Sequence, residues 1–469
     1  MRGNGALNRA GLALALLLVA APAVADPLPV VTAAPATLPA PAARQLGLQV
    51  MQQGRPDLAL PIAEALIDAD ASDTFAWYLK ANALFQLGRM AEAQAAAKRS
   101  YRFAQSPEQS YQAARLTALA AYEQAHYGAA QWWLRRAAQY APEAARRDLS
   151  IAEFNAVKRK NPLRMAFSFS LVPSDNVNNG SSGGFNIIDG VPYVGTLSPD
   201  ARALPGWIGE ATVDLQYRLA ESQTGSTWVG LYLFGQEISL SDAARADLDG
   251  YPEPDLGARR GEVSLRRIIA APGGRDSLTL GVVAGLQQEG GVEEQSYGRL
   301  HFGYLRALDA TSLFNIAGSV EQREAVGRQE KGDRVYTLRG SWLNTYANAD
   351  VLTATLFASR YQTGFAGQSS NTFGGDLSYD IGRDFGPVNL AMSAGAYRAD
   401  FAGYTLATIT VPGGRQDVTG YLALDVAFPD VEYSGFAPVL SLRRQVTSSN
   451  VSRFDAVESS ISLGVESVF

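Results

Sequence analysis

From about Met165 onward, apolar residues alternate with small or polar ones in short runs. Leu278, Leu280, Val282, Ala284 and Leu286 stand opposite Ser277, Thr279, Gly281, Gly285 and Gln287. Leu300, Phe302 and Tyr304 stand opposite Arg299, His301 and Gly303, and Leu422, Leu424, Val426 and Phe428 opposite Tyr421, Ala423, Asp425 and Ala427. The closing run puts Ile461, Leu463, Val465 and Phe469 on one face and Ser460, Ser462, Gly464 and Glu466 on the other. Successive side chains of a strand point to opposite faces, so each run is a strand with one oily side. Many such strands in series fit a barrel in lipid better than a soluble sandwich.

Strands are predicted to begin near Met165, Gly209, Thr227, Gly261, Ser277, Tyr297, Leu313, Val335, Val351, Thr372, Val388, Val418, Phe436 and Phe454. An even number of strands lets an up-and-down barrel close with both chain ends on one side. Trp207, Trp228, Tyr232, Trp342, Tyr361, Tyr397 and Tyr421 are candidates for the aromatic girdles at the two interfaces. The terminal Phe469 has the form of a barrel-assembly signal read by the outer-membrane insertion machinery.

Before the strands the period changes. Residues 42–160 are rich in Ala, Leu, Gln and Arg at helical spacing. Gly54-Arg55 recurs 34 residues later as Gly88-Arg89, and Ala59 and Ala63 recur as Ala93 and Ala97. That period matches tetratricopeptide repeats. A third unit spans 111–142, with Ala125-His126-Tyr127 near its turn, and a capping helix is expected over 142–157. The predicted fold class is therefore multidomain: an all-α, tetratricopeptide-like helical domain followed, over 163–469, by a transmembrane antiparallel β-barrel of about fourteen strands.

Repeat stacks present concave surfaces for peptides or proteins. Trp77, Tyr78, Lys80 and Asn82 lie on the first helix of a unit, which usually faces the groove, and are the candidate client-binding residues. A spacer or folding cap for the barrel is the plainer role for this block. Trp132 and Trp133 are expected in its core. The basic residues Arg135, Arg136, Arg146, Arg147, Lys158, Arg159 and Lys160 suit a solvated helix face, anionic headgroups or an acidic client.

The first 25 residues read as an export signal: Arg2 and Arg9 are the basic flank, residues 12–20 the apolar stretch, and Ala23-Val24-Ala25 the cleavage site. A Pro- and Ala-rich linker covers 26–41. The apolar stretch is far shorter than the ~20 residues a helical span needs. Together these place the chain in the outer membrane of a Gram-negative bacterium, with the helical domain in the periplasm and the long loops, 174–205 and 239–259, outside.

Composition narrows the chemistry. The chain has no cysteine and only two histidines, His126 and His301, in different segments. That excludes disulfides, thiolate metal sites and an acylated N-terminal cysteine, and leaves no His-based zinc cluster. The second long loop carries Asp242, Asp247, Asp249, Glu253 and Asp255, but their spacing is not that of an EF-hand, so a solvated acidic loop is expected. Forty basic against 46 acidic residues give no sign of nucleic-acid binding. P-loop and metalloprotease motifs are absent. A Ser/His dyad in the lumen would have to use His301, and one lumenal His suits a pore lining better. No catalytic residue, cofactor or metal is assigned, and no enzymatic activity is expected.

The junction reads Ser168-Phe169-Ser170-Leu171-Val172-Pro173-Ser174-Asp175-Asn176-Val177-Asn178-Asn179-Gly180-Ser181. It resembles the first barrel strand of the surface lipoprotein assembly modulators (Slam), with their Pro-Ser-Asp-Asn-x-Asn stretch. The order of signal, short repeat block, barrel and terminal Phe also resembles that family. The resemblance implies an outer-membrane translocator that moves a surface lipoprotein, or a related soluble secreted protein, from periplasm to cell surface. The helical arm would engage the client or a periplasmic chaperone, and the barrel would form the route. The motif residues Pro173, Ser174, Asp175, Asn176, Asn178 and Asn179 are expected to order the first external loop. This helical block is shorter than in Slam proteins with larger arms. An exopolysaccharide export barrel with a repeat arm, and a passive porin, are the other readings. The expected partners are a protein client and outer-membrane lipid, with the barrel a monomer.

Overall fold

The computed structural model describes residues 38–467, apart from 292–293, 327–331, 366, 383–384 and 407–408. The expected export signal, most of the linker and Phe469 lie outside the described residues.

Seven helices come first: α1 (Ala40–Gln52), α2 (Pro56–Ala69), α3 (Thr74–Gln86), α4 (Met90–Phe103), α5 (Pro107–Glu123), α6 (Tyr127–Gln139) and α7 (Ala144–Lys160). They pair as three helical hairpins and a cap. The first two hairpins turn at Gly54 (φ 72°) and Gly88 (φ 77°), left-handed positions that glycine adopts freely. The third turns at the equivalent Ala125 (φ 58°). Asp73 caps α3 by accepting from the Ala76 N–H at 3.1 Å. The interior is built of alanine: Ala59, Ala63, Ala83, Ala93, Ala97 and Ala120 are fully buried, which lets neighbouring helices approach closely. Leu79 and Leu84 fill what remains. Among the described residues no helix is long and apolar enough to cross a membrane.

The strands follow: β1 (Leu163–Ser174), the loop hairpin β2 (Phe185–Ile188) and β3 (Val191–Thr196), β4 (Gly206–Ser222) and β5 (Gly225–Leu240). A short helix, α8 (Asp242–Asp247), precedes β6 (Ala258–Ala270), β7 (Asp276–Glu289), β8 (Gln295–Ala307), β9 (Ser312–Ala325), β10 (Asp333–Thr345), β11 (Val351–Gln362), β12 (Ser370–Asp380) and β13 (Asn389–Phe401). A two-residue pair, β14 (Thr405–Leu406) and β15 (Ile409–Thr410), sits in the next loop, and β16 (Arg415–Ala427), β17 (Phe436–Ser449) and β18 (Ala456–Ser467) complete the described strands. Fourteen of these close into one antiparallel barrel, in the order β1, β4 to β13, β16, β17, β18 and back to β1. Twelve of the predicted strand starts fall within one of the fourteen, and Val388 and Phe454 lie one and two residues before β13 and β18.

The barrel is inverted relative to a soluble core. Its exterior shows Phe169 (68 % exposed), Leu422 (67 %), Leu300 (64 %) and Leu463 (62 %), a belt of large apolar side chains that only lipid can cover. The opposite parity lines the lumen, where Glu262 takes Arg299 at 2.7 Å and the Tyr297 hydroxyl at 2.6 Å. Arg299 continues to Glu321 at 3.3 Å, and Arg323 closes the run on Glu321 at 2.5 Å. Of the girdle candidates, Trp207 and Trp342 follow the outward parity, and the rest turn inward. Trp228 is 3 % exposed beneath Arg164 and Arg218, the Tyr361 hydroxyl donates to Asp333, and Tyr421 lies under Arg443. An aromatic ring beside an arginine is stabilised by the cation as well as by burial, so lumenal guanidinium groups draw these rings in.

Candidate functional site

Three features make up the candidate site: the inner helices of the arm, the contact between arm and barrel, and the meeting of the first and last barrel strands.

On the arm, the four candidate client-binding residues divide between two faces of α3. Trp77 donates to the Ala71 carbonyl at 2.9 Å, and Lys80 pairs with Glu64 at 2.9 Å while lying 5.9 Å from the Trp77 ring centre. Tyr78 packs on the helical core, with Asn82 donating to its carbonyl at 3.3 Å. Burial pushes the Tyr78 hydroxyl up from its ordinary pKa, against the opposing pull of the nearby Arg115. A polar ladder runs along the same inner helices. Arg115 on α5 holds the buried Glu153 of α7 at 2.6 Å, which raises the guanidinium pKa, and Arg146 of α7 grips Glu108 of α5 at 2.7 Å. Single residue types gave no signal for this ladder, because its partners lie 38 positions apart.

The basic residues of α6 and α7 reach the barrel. Arg135 donates to the carbonyls of Ser434 (3.3 Å) and Gly435 (3.0 Å) in the turn between β16 and β17, and to the Ser467 hydroxyl at the end of β18 (2.8 Å). Its guanidinium lies 4.6 Å from the ring centres of both Phe154 and Phe436. Burial lowers its pKa, and the carboxylate of Glu432 opposes that shift. Arg147 pairs with Glu432, and the Ser434 hydroxyl donates to Gln139 at 2.8 Å. From the barrel side, Arg218 donates to the Arg159 and Lys160 carbonyls at 3.2 and 3.1 Å, covering the negative end of α7. Trp132 is a correction to the expected core position: it is 48 % exposed, with Arg136 over its ring at 4.7 Å, whereas Trp133 packs edge-on to Tyr101.

The junction motif sits at the barrel end distal to the arm, where β1 meets β18. Ser174 donates to Glu458 at 3.1 Å. The Asp175 carboxylate accepts from the Ser459 N–H at 2.7 Å. Asn176, 2 % exposed, donates to the Gly180 carbonyl at 2.9 Å and to the Val457 carbonyl at 3.2 Å. Asn178 shapes the loop itself, donating to the Asp200 and Arg202 carbonyls and accepting from the Leu204 N–H at 2.9 Å. Asn179 takes a left-handed turn (φ 50°), and Pro173 pairs with Trp207 on the β4 side. Beyond the motif, the first loop reaches the loop after β17: Ser181 donates to the Ser452 carbonyl, Ile188 bridges to Val451, and Ile188, Val411 and Val451 share one buried cluster. In the acidic second loop, Arg245 pairs with Asp242 (3.3 Å) and Glu253 (2.8 Å).

His301 follows the lumenal parity of β8, its ring packed against Gly281 on β7. Among the described residues, no group of three or more His, Cys, Asp or Glu could hold a metal ion.

No family model matches this chain, and no curated protein matches it. Solved structures resemble its two parts separately. The helical part is similar to the first TPR domain of the human RPAP3 protein (17% identity, 26% of this chain and 93% of that one, TM-score 0.24). It is also similar to the Yersinia enterocolitica type III secretion translocator chaperone SycD (16% identity, 26% and 92%, TM-score 0.24). The barrel is similar to a loop-deleted OmpT, an outer membrane protein of Vibrio cholerae (8% identity, 65% and 99%, TM-score 0.35).

Proposed function

We propose that this protein is an outer-membrane translocator of the Slam type, delivering a surface lipoprotein or a related secreted protein from the periplasm to the cell surface. The barrel crosses the outer membrane with its helical arm in the periplasm, and the arm holds the client or its chaperone at the barrel mouth. The dock around Arg135 carries this reading. A repeat stack fixed to the barrel wall presents its inner face at one constant position relative to that wall, which a handover requires and a loose spacer does not. The junction motif and the order of domains support the same reading.

Deleting the gene and comparing protease-shaved surface proteomes tests it. A specific protein should vanish from the surface and accumulate in the periplasm. An unchanged surface proteome rules the function out.

A further inference from the structure

The fourteen ladders of the barrel are not alike. β1 pairs with β4 along its whole length, from Leu163 with Tyr217 to Ser174 with Gly206. β17 pairs with β18 from Phe436 with Ser467 to Thr447 with Ala456. Between β1 and β18, only two pairs register among the described residues: Leu171 with Leu463, and Ser174 with Ser460. Continuing that register would set Ser168–Ser170 opposite Gly464–Glu466, and among the described residues no ladder pair registers there. Exposure follows the same division. Mid-strand runs of exposed residues elsewhere reach three, as at Thr337–Arg339 and Leu442–Arg444, but Arg164, Met165, Ala166, Phe167, Ser168 and Phe169 are all exposed, on both faces of β1.

Among the described residues, the seam is therefore laddered at one end only. Two ladder pairs and the contacts of Ser174, Asp175 and Asn176 hold the distal end, and the first loop crosses above it to Asn450 and Ser452. In the proximal half, Ser168–Ser170 and Gly464–Glu466 register no ladder pair across the seam among the described residues, and an unpaired edge is a template for another strand. The helical arm is fixed beside that half, since Arg135 binds Ser467 at the foot of β18.

Resting on the translocator reading, we propose that the proximal half of the β1–β18 seam is the docking edge for the exported protein. It takes up an extended segment by β-strand addition, and the Ser174-Asp175-Asn176 latch keeps the barrel closed above it. The occupant is an extended peptide of the client with alternating apolar and small residues. Apolar side chains would continue the outer belt set by Phe167, Phe169 and Val465, and small ones would fit beside Ser168 and Gly464. The seam is continuous with the arm's interface, so a segment held on the arm meets this edge first.

The native chain has no cysteine, so designed thiol pairs report cleanly. Phe169→Cys with Val465→Cys, opposite each other on the continued register, staples the proximal half of the seam, and Leu442→Cys with Ile461→Cys staples the complete β17–β18 ladder as a control. Both are expressed in the deletion strain and oxidised in whole cells. The readout is the surface level of the protein that the deletion strain loses. The seam staple should lower that level at least tenfold, reversibly on reduction, while the control staple leaves it at wild-type level. A seam staple shown closed by gel mobility, yet exporting like wild type, overturns the seam proposal and leaves the translocator standing. If the deletion strain loses no surface protein, the underlying function fails and the proposal with it. Hydrogen exchange of the unmodified protein in nanodiscs gives a second reading: amides of 167–170 and 464–466 should exchange at least tenfold faster than those of the β7–β8 ladder. Equal protection overturns the proposal whatever the export result.

Discussion

Arg135 and Ser467 are bonded at 2.8 Å although 332 positions separate them in the chain. The same guanidinium holds the carbonyls of Ser434 and Gly435 and lies between two phenyl rings. Several bonds from one planar cation, on a partly exposed site, stabilise the dock by about 2 kcal/mol. Arg135→Ala should therefore broaden the arm-to-barrel distance distribution measured between spin labels in nanodiscs. Arg135→Lys should rescue it only in part, because an ammonium cannot form the planar fork or stack in the same way. Neither variant should change barrel heat-modifiability.

The three hairpin turns of the arm supply a matched set. Ala125 occupies the left-handed position that glycine fills at 54 and 88, and a side chain there costs about 1 kcal/mol. Ala125→Gly should raise the thermal stability of the helices by about that amount, and Gly54→Ala should lower it similarly. The 222 nm signal of the full chain in detergent, followed on heating, measures both.

Gly281 and His301 face each other across the β7–β8 ladder. A Cβ at 281 would stand 2.1 Å from Cε1 of the imidazole. Gly281→Ala should cost about 1–3 kcal/mol by overpacking, seen as a lower urea midpoint for folding into liposomes. Adding His301→Ala should restore most of the loss, which separates a steric cause from a backbone one.

The parity of β7 can be tested one residue at a time. Leu280 faces lipid and is 46 % exposed, whereas Thr279 faces the lumen. Leu280→Arg should cost roughly 2–4 kcal/mol, the penalty of a cation near the bilayer midplane. Thr279→Arg should cost much less, since its side chain enters a polar lumen. Urea titration of refolding into phosphatidylcholine vesicles compares them directly.

Much of the fold was legible because β7, β8, β16 and β18 alternate Leu or Val with Gly, Ser or charged residues. The 34-residue recurrence of Gly54 at Gly88 likewise marks real hairpin turns. The orientation of Trp228 and Tyr232 was not legible: on β5 they alternate with Val229, Leu231 and Leu233, so both faces look apolar. Arg164 and Arg218, from other strands, decide the matter for Trp228. The loop hairpins β2–β3 and β14–β15 escaped notice because strands of two to six residues are too short to show a period. The junction motif stood out as a string, but its partners Glu458 and Ser459 lie 284 positions away. The arm's cations suited solvent or an acidic partner equally well, and only the turn at 432–435 shows that two of them serve the barrel.

Synthesis runs from the amino end, so the helices carrying Arg135 are made long before the strand carrying Ser467. Their resting place does not exist until the last segment has entered the wall. A copy lacking β18 would leave its helices without the Ser467 contact of this dock. The contact thus ties the placing of the arm to the presence of β17 and β18 in the wall.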